Sequence, residues 1–334
     1  VRQPEVARAL ALLLALLLSL PTLTVAATAL VVTALWVELL GPERARPLSL
    51  LAPAPRRSAL AGLVADRYVA PVLWPRGGLV LVHGYTPEGK DDPRVIRAAH
   101  LLARAGFEVL VPTVPGLTRG QLRLPDVEPV VRALAAADPG RPATVVGVSL
   151  GAGPAFLAAA DPRVRARVGL VVAVGGYASA RELVRFFLTG EYAWGTVRGR
   201  VIHDPEIVRT FLAANADLLA GAPAAARGLL DPGRLAAWLE APPPALAVLL
   251  DALSPERVVG ALPSRILLVH GRDDHAVPFT ESLRLAAARP TRTHLVLVGS
   301  FRHVAGPDPT WRWEHVVDGA RVWGATYLLL AART

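Results

Sequence analysis

Apolar positions fall into three registers along the chain. Residues 9–37 carry no charged side chain, about 29 positions that as one helix would reach roughly 43 Å against about 30 Å of bilayer hydrocarbon. Further on, short runs rich in β-branched residues recur at 67–74, 78–82, 107–111, from Ala143, and at 168–174, 266–269 and 294–298. Continuous apolar runs of this length are the mark of strands buried on both faces. Segments with helical spacing lie between them, at 92–105, 126–137, the Ala-rich stretch beyond Gly151, 281–288 and 311–330. Regular alternation of the two patterns predicts an α/β fold: a mostly parallel, doubly wound sheet covered by helices on both faces.

Two stretches break the alternation. Residues 176–262 show no clear strand but helical patterns at 180–188, 205–219, 223–230, 235–240 and 245–253, which predicts a helical cap inserted into the sheet domain. Residues 41–63 contain Pro42, Pro47, Pro53 and Pro55, spaced too densely for a helix or a central strand, and read as a Pro/Arg-rich linker. The chain therefore divides into an apolar segment (1–40), the linker (41–63), the first part of the core (64–175), the cap (176–262) and the second part of the core (263–334).

For the apolar segment the competing readings are a retained membrane anchor and a cleaved signal peptide, with Arg2 and Arg8 as its basic region and Ala27-Thr28-Ala29 as its cleavage site. The apolar run continues through Trp36 beyond that site, which favours the anchor. Deletion up to about Leu63 is then expected to release a soluble domain. Arg44, Arg46, Arg56 and Arg57 outnumber Arg2 and Arg8, nominally placing the domain in the cytoplasm. Large domains translocate regardless of charge, so the side stays open.

The chain is 334 residues long, 53% hydrophobic and 19% charged, which suffices for a large core. Cysteine is absent, which excludes disulfides, thiolate metal ligands and a thiol nucleophile. The net charge of +9 comes from arginines scattered singly and in pairs without interleaved aromatics, which argues against a nucleic-acid surface. The arginines after the apolar segment suit an anionic membrane instead.

The chemistry centres on Gly147-Val148-Ser149-Leu150-Gly151, a G-x-S-x-G motif between a strand pattern and a helix pattern, where the serine hydroxyl would stand above the sheet. Downstream, Ile266-Leu-Leu-Val-His-Gly-Arg-Asp-Asp-His-Ala-Val-Pro278 runs from strand to polar turn, and the strand at 294–298 is followed by Gly299-Ser-Phe-Arg-His303. From about Arg67 onward the chain resembles the α/β-hydrolase family. The resemblance implies the triad order serine, acid, histidine: Ser149 as nucleophile, Asp274 as acid in the G-x-x-D-x-x-V-P pattern, and His303 as base. Asp273 and, for the base, His315 are the neighbouring alternatives. Backbone N–H groups of Leu150 and of Tyr85, after His83-Gly84, would hold the oxyanion. His83 itself reads as a packing residue, and Thr113 stands where the family's D-x-P-G turn has its acid.

Aromatic residues make the cap the expected pocket wall, with Tyr177, Trp194 and Trp238 as substrate-pocket candidates beside Phe186, Phe187 and Tyr192. Asp273, Asp274 and His275 adjoin but point different ways in a turn, so neither metal nor cofactor is expected. The reading that results is a membrane-associated serine hydrolase acting on a carboxylic ester or related small acyl substrate, with the lipid bilayer as partner and no nucleic acid. Acyl transfer and halide-dependent peroxidation use the same triad, and a non-catalytic membrane-tethered binding module is the reading from another class. Acyl chain length and oligomeric state are not legible.

Overall fold

The computed structural model describes residues 3–41, 45–216, 240–299 and 313–332, with residues 3–20, 205, 207, 313 and 314 as backbone. Eight strands form one sheet: β1 (Arg56–Ala59), β2 (Ala65–Val69), β3 (Gly77–Val82), β4 (Phe107–Pro112), β5 (Ala143–Val148), β6 (Val168–Val174), β9 (Arg265–Gly271) and β10 (Thr293–Val298), in the order β1-β2-β4-β3-β5-β6-β9-β10. Strands β4 to β10 in that order are parallel neighbours, while β1 and β2 form an antiparallel edge. This is the mostly parallel sheet that the β-branched runs predict.

Alternate residues of each strand feed two cores, because side chains along a strand point to opposite faces. Val80, Val82, Val145, Val171, Ile266 and Leu268 pack on one side beneath helices α4 (Val127–Ala136) and α5 (Ala152–Ala160). Leu79, Leu81, Val146, Leu170, Val172, Leu267 and Val296 pack on the other beneath α3 (Pro93–Arg104) and α11 (Trp313–Ala331). Asp92 caps α3 by accepting the Arg94 N–H at 2.7 Å.

The second core has a further member. Helix α1 (Gln3–Leu40) buries Val31, Val32, Ala34 and Leu35 in it. Trp36 Nε1 donates to Thr326 Oγ1 at 3.0 Å and Trp323 Nε1 to Thr33 Oγ1 at 3.1 Å, tying α1 to α11. Glu38 accepts from the backbone N–H and hydroxyl of Ser49 and pairs with Arg104, while Arg97 donates to the carbonyls of Glu38 and Leu39 at the helix's negative end.

Residues 41–63 are correspondingly not a free linker. They include α2 (Pro47–Leu51), whose Leu48 is wholly buried, and the edge strand β1. Proline is accommodated at the first turn of α2, where no N–H partner is lost. Arg57 of β1 pairs with Asp66 of β2.

The expectation of an all-helical insertion also needs correction. After α6 (Ala180–Thr189) comes a two-stranded antiparallel hairpin, β7 (Glu191–Trp194) and β8 (Val197–Arg200), with Gly195 at φ +58° in its turn. Helices α7 (Pro205–Ala214), α8 (Pro244–Ala252) and α9 (Glu256–Val259) are the other described elements of the insertion. The turn after β4, which has Thr113 in place of an acid, takes a carboxylate from elsewhere: buried Asp126 accepts the Gly116 N–H at 2.8 Å.

Candidate active site

Strand β5 ends at the sheet's centre, and the chain turns there through a short 3-10 segment, Ser149–Gly151, into α5. Ser149 has φ +52°, and among the described residues it is the only non-glycine with positive φ. A left-handed conformation costs a non-glycine residue roughly 1–2 kcal/mol, so surrounding contacts must hold it. Those contacts need the flanking glycines. A Cβ on Gly147 would lie 2.6 Å from Ala152 Cα, and one on Gly151 would lie 2.3 Å from the His83 carbonyl oxygen.

The loop after β3 lies against the serine, since a Cβ added to Gly84 would come within 3.1 Å of Ser149 Cβ. His83, buried at the end of that strand, accepts the Val114 N–H on Nε2 at 3.1 Å, so its other nitrogen carries the proton and donates to the Gly84 carbonyl at 2.7 Å. Burial lowers its pKa, which keeps the ring neutral. Holding the Gly84 carbonyl fixes the peptide plane shared with the Tyr85 N–H, which in a trans peptide faces the opposite way. Thr86 Oγ1 lies 2.6 Å from Asp92 Oδ2 and 2.7 Å from Glu88 Oε2. Arg94, first, and Thr86 hold the Asp92 carboxyl well below the usual range.

Asp274 lies past β9, beside β6 in the sheet, and is buried; its neighbours Asp273 and His275 are exposed. Its Oδ1 accepts the N–H groups of Ala276 and Val277 at 2.8 and 2.9 Å. Beneath it lies His270, a neighbour that the motif alone does not single out. It is buried, its Nε2 donates to the Val277 carbonyl at 2.9 Å and lies 3.5 Å from Asp274 Oδ2, and Nδ1 then accepts from the Ser282 hydroxyl at 2.7 Å. The imidazole so clamps the turn that carries the carboxylate. A histidine within an apolar run, two residues before the polar turn, is the signal for it.

Ser149 and the acid turn open on one cavity of about 530 Å³. Its lining includes Tyr85, Leu150, Val95, Phe187, Phe211 and Val277, with Arg94 and Arg119 among its few charged residues. The sequence matches the alpha/beta hydrolase family over residues 79–322. The chain belongs to that family. No curated protein matches the chain significantly by sequence. Among solved structures, a Mycobacterium tuberculosis puromycin-hydrolyzing peptidase superposes with TM-score 0.51 at 18% identity over 84% of this chain, which spans only 40% of the peptidase. A 2,6-dihydroxy-pseudo-oxynicotine hydrolase superposes with TM-score 0.51 at 17% identity, over 90% of this chain and 79% of its own. At such identities the likeness is one of fold.

The expected pocket residues separate. Phe187 lines the cavity and stacks on Phe211 of α7 at 4.4 Å; Phe211 belongs to the apolar stripe of that helix. Tyr177 does not reach the cavity. It is buried in the core against Gly153, its hydroxyl donating to the Leu253 carbonyl at 3.2 Å. Trp194 lies on the hairpin with the Arg284 guanidinium 4.6 Å from its ring centre, and fastens the hairpin to α10 (Thr280–Ala288) rather than lining the cavity. His303 and Trp238 lie outside the described residues.

Glu281 of α10 joins the insertion to the core. Its Oε2 accepts the N–H groups of Ala178 and Ser179 at 2.9 and 2.8 Å, and its Oε1 lies 3.2 Å from Arg284 Nε. Burial, only partly offset by those amides, pushes its pKa from 4.5 up to about 7. Because the folded value exceeds the unfolded one, this group's stabilisation is full below about pH 4.5 and is lost as pH rises through 7. Glu281→Gln is expected to flatten the fall in stability across that window, as read from chemical unfolding curves at its two ends. An unchanged slope would remove Glu281 as its source.

Proposed function

We propose that the protein is a membrane-tethered serine hydrolase that cleaves carboxylic esters with an apolar acyl or alcohol part through an acyl-enzyme. One observation carries the reading: a strained serine, held at φ +52° between a central strand and a helix, opens on a largely apolar cavity. Backbone strain of this kind persists where it has a use.

In the proposed reaction Ser149 Oγ attacks the acyl carbonyl carbon while His303 takes its proton. His303 follows β10 in sequence, and β10 pairs in parallel with β9, so the two strands end at the same edge of the sheet. Asp274 orients His303 and stabilises its charge. The Tyr85 and Leu150 amides hold the tetrahedral oxyanion, a role that the peptide-plane lock from His83 favours for Tyr85. His303 then protonates the leaving alkoxide, and water, activated by the same histidine, releases the acid and restores Ser149.

The direct test is reaction with a fluorophosphonate probe followed by mapping of the adduct. An adduct on Ser149 together with turnover of p-nitrophenyl esters supports the reading. Absence of both would turn it to a binding module of the same fold. Selectivity should reside in the Phe187–Phe211 wall. Phe211→Ala is expected to shift the ester preference toward longer or bulkier acyl groups by roughly tenfold, while leaving the rate with a small probe nearly unchanged. Equal loss on every substrate would assign Phe211 to folding instead.

A further inference from the structure

Helix α1 carries no charge from residue 9 to residue 37, yet the two ends of that run have different surroundings. From Thr28 onward it is docked: Thr28, Val31, Val32, Ala34 and Leu35 are buried, and Thr33, Trp36 and Glu38 bond to the globular domain. Before Thr28, residues 21–27 are all exposed, whereas the later turns alternate buried and exposed positions. The uncharged run that remains ahead of the docked part, residues 9–27, would reach about 28 Å as helix, close to the thickness of bilayer hydrocarbon. The end of that run falls where a hydrocarbon core would meet headgroups.

A groove of about 530 Å³ lies at that level, between residues 21–28 of α1 and the domain. One wall is Pro21, Val25 and Thr28; the other includes Arg76, Arg141 and Tyr327. Arg141 is exposed, with Nη1 on the Pro75 carbonyl at 2.6 Å, and Arg76 donates to the carbonyls of Ala105 and Leu330. The bond to a neutral carbonyl holds the Arg141 guanidinium in place without removing its charge, and the Arg76 guanidinium is fixed beside it. Tyr327 stacks on Trp323 at 5.6 Å, beside the groove. An apolar helix face, two fixed guanidinium groups and a pair of stacked aromatics match the parts of an amphiphile at a membrane interface.

Resting on the membrane-tethered reading, we propose that this groove binds the headgroup phosphate of an anionic phospholipid in the leaflet that α1 enters, with the lipid's chains along Pro21 and Val25. The bound lipid fixes how the domain sits on the bilayer, because α1 is a docked strut and not a loose tether.

The test uses the full chain in mild detergent, titrated with phosphatidylglycerol, phosphatidylcholine or inorganic phosphate, with bound lipid counted by native mass spectrometry. Wild type should prefer phosphatidylglycerol by about fivefold or more, and inorganic phosphate should not displace it. Arg141→Glu should abolish the preference, with melting temperature and fluorophosphonate labelling unchanged. Arg163→Ala, at an exposed ion pair with Glu128 and Asp161, should keep it. Equal binding of the two lipids, an unaltered preference in Arg141→Glu, or displacement by phosphate would overturn the site. Carbonate extraction of wild type separates the two failures. A chain that leaves the membrane overturns the tether and the site together, while one that stays but shows no preference overturns the site alone.

Discussion

Replacement of Ser149 by alanine should lower ester turnover by several orders of magnitude and abolish covalent labelling, with the fold retained. The retained fold is part of the expectation, since alanine is smaller than serine and still suits the space that Gly147, Gly151 and Gly84 leave around position 149. His303→Ala should be as severe. The double variant should be scarcely slower than either single one, because an alkoxide that is not generated gains nothing from its base. Asp274→Asn should also be severe, for two reasons: it withdraws the charge that stabilises the imidazolium, and it puts an amide where Oδ1 now accepts two backbone N–H groups. Asp273→Asn should be mild, its side chain being exposed one residue away. Steady-state kinetics on one chromogenic ester would measure all five variants. Equal, modest losses at Ser149, Asp274 and His303 would refute a triad acting as a unit.

The parts of this site that were legible in the chain are those where backbone geometry restricts residue type. Two glycines around a serine are demanded by the close contacts at positions 147 and 151, and the spacing of Asp274 after β9 reflects a turn that buries one carboxylate on two amides. The β-branched runs marked β3, β4, β6 and β9 to within a few residues, because each is buried on both faces, and β10 at the sheet's edge was marked by its Leu-Val run, of which Val296 and Val298 are buried. Strand β1 was hidden for the opposite reason. Arg56-Arg57-Ser58-Ala59 is exposed throughout and joins the sheet by backbone pairing at its edge and by the Arg57–Asp66 ion pair, neither of which leaves an apolar pattern. Hairpin β7–β8 is likewise short and half exposed. Aromatic type alone did not separate a pocket wall from packing: Phe187 faces the cavity, Tyr177 fills the core and Trp194 pins a hairpin. The docking of α1 was hidden because lipid and a protein core select the same residues. Only Thr33, Trp36 and Glu38 hint that its later turns meet a partner with polar groups.

That docking reverses what truncation is expected to do. If residues 41–63 were a free linker, deletion up to Leu63 would release a soluble enzyme. It would instead remove four large buried side chains, Val31, Val32, Leu35 and Leu48, together with strand β1 and the Glu38–Arg104 pair. At about 1.5–3 kcal/mol for each buried aliphatic side chain, the loss is roughly 6–12 kcal/mol, comparable with the 5–15 kcal/mol that typically separates folded from unfolded domains. It would also bare the face of α3 and α11 that they cover. The chain lacking residues 1–63 should therefore aggregate or fail to label, whereas the chain lacking only residues 1–27 keeps the buried positions and bonds of α1 from Thr28 onward and should be folded, labelled at Ser149 and no longer retained by carbonate-washed membranes. Size-exclusion chromatography, thermal melting and probe labelling of the two truncations would decide. A monomeric, fully labelled chain without residues 1–63 would mean that the later turns of α1 contribute little to the core and that the apolar helix is a tether after all.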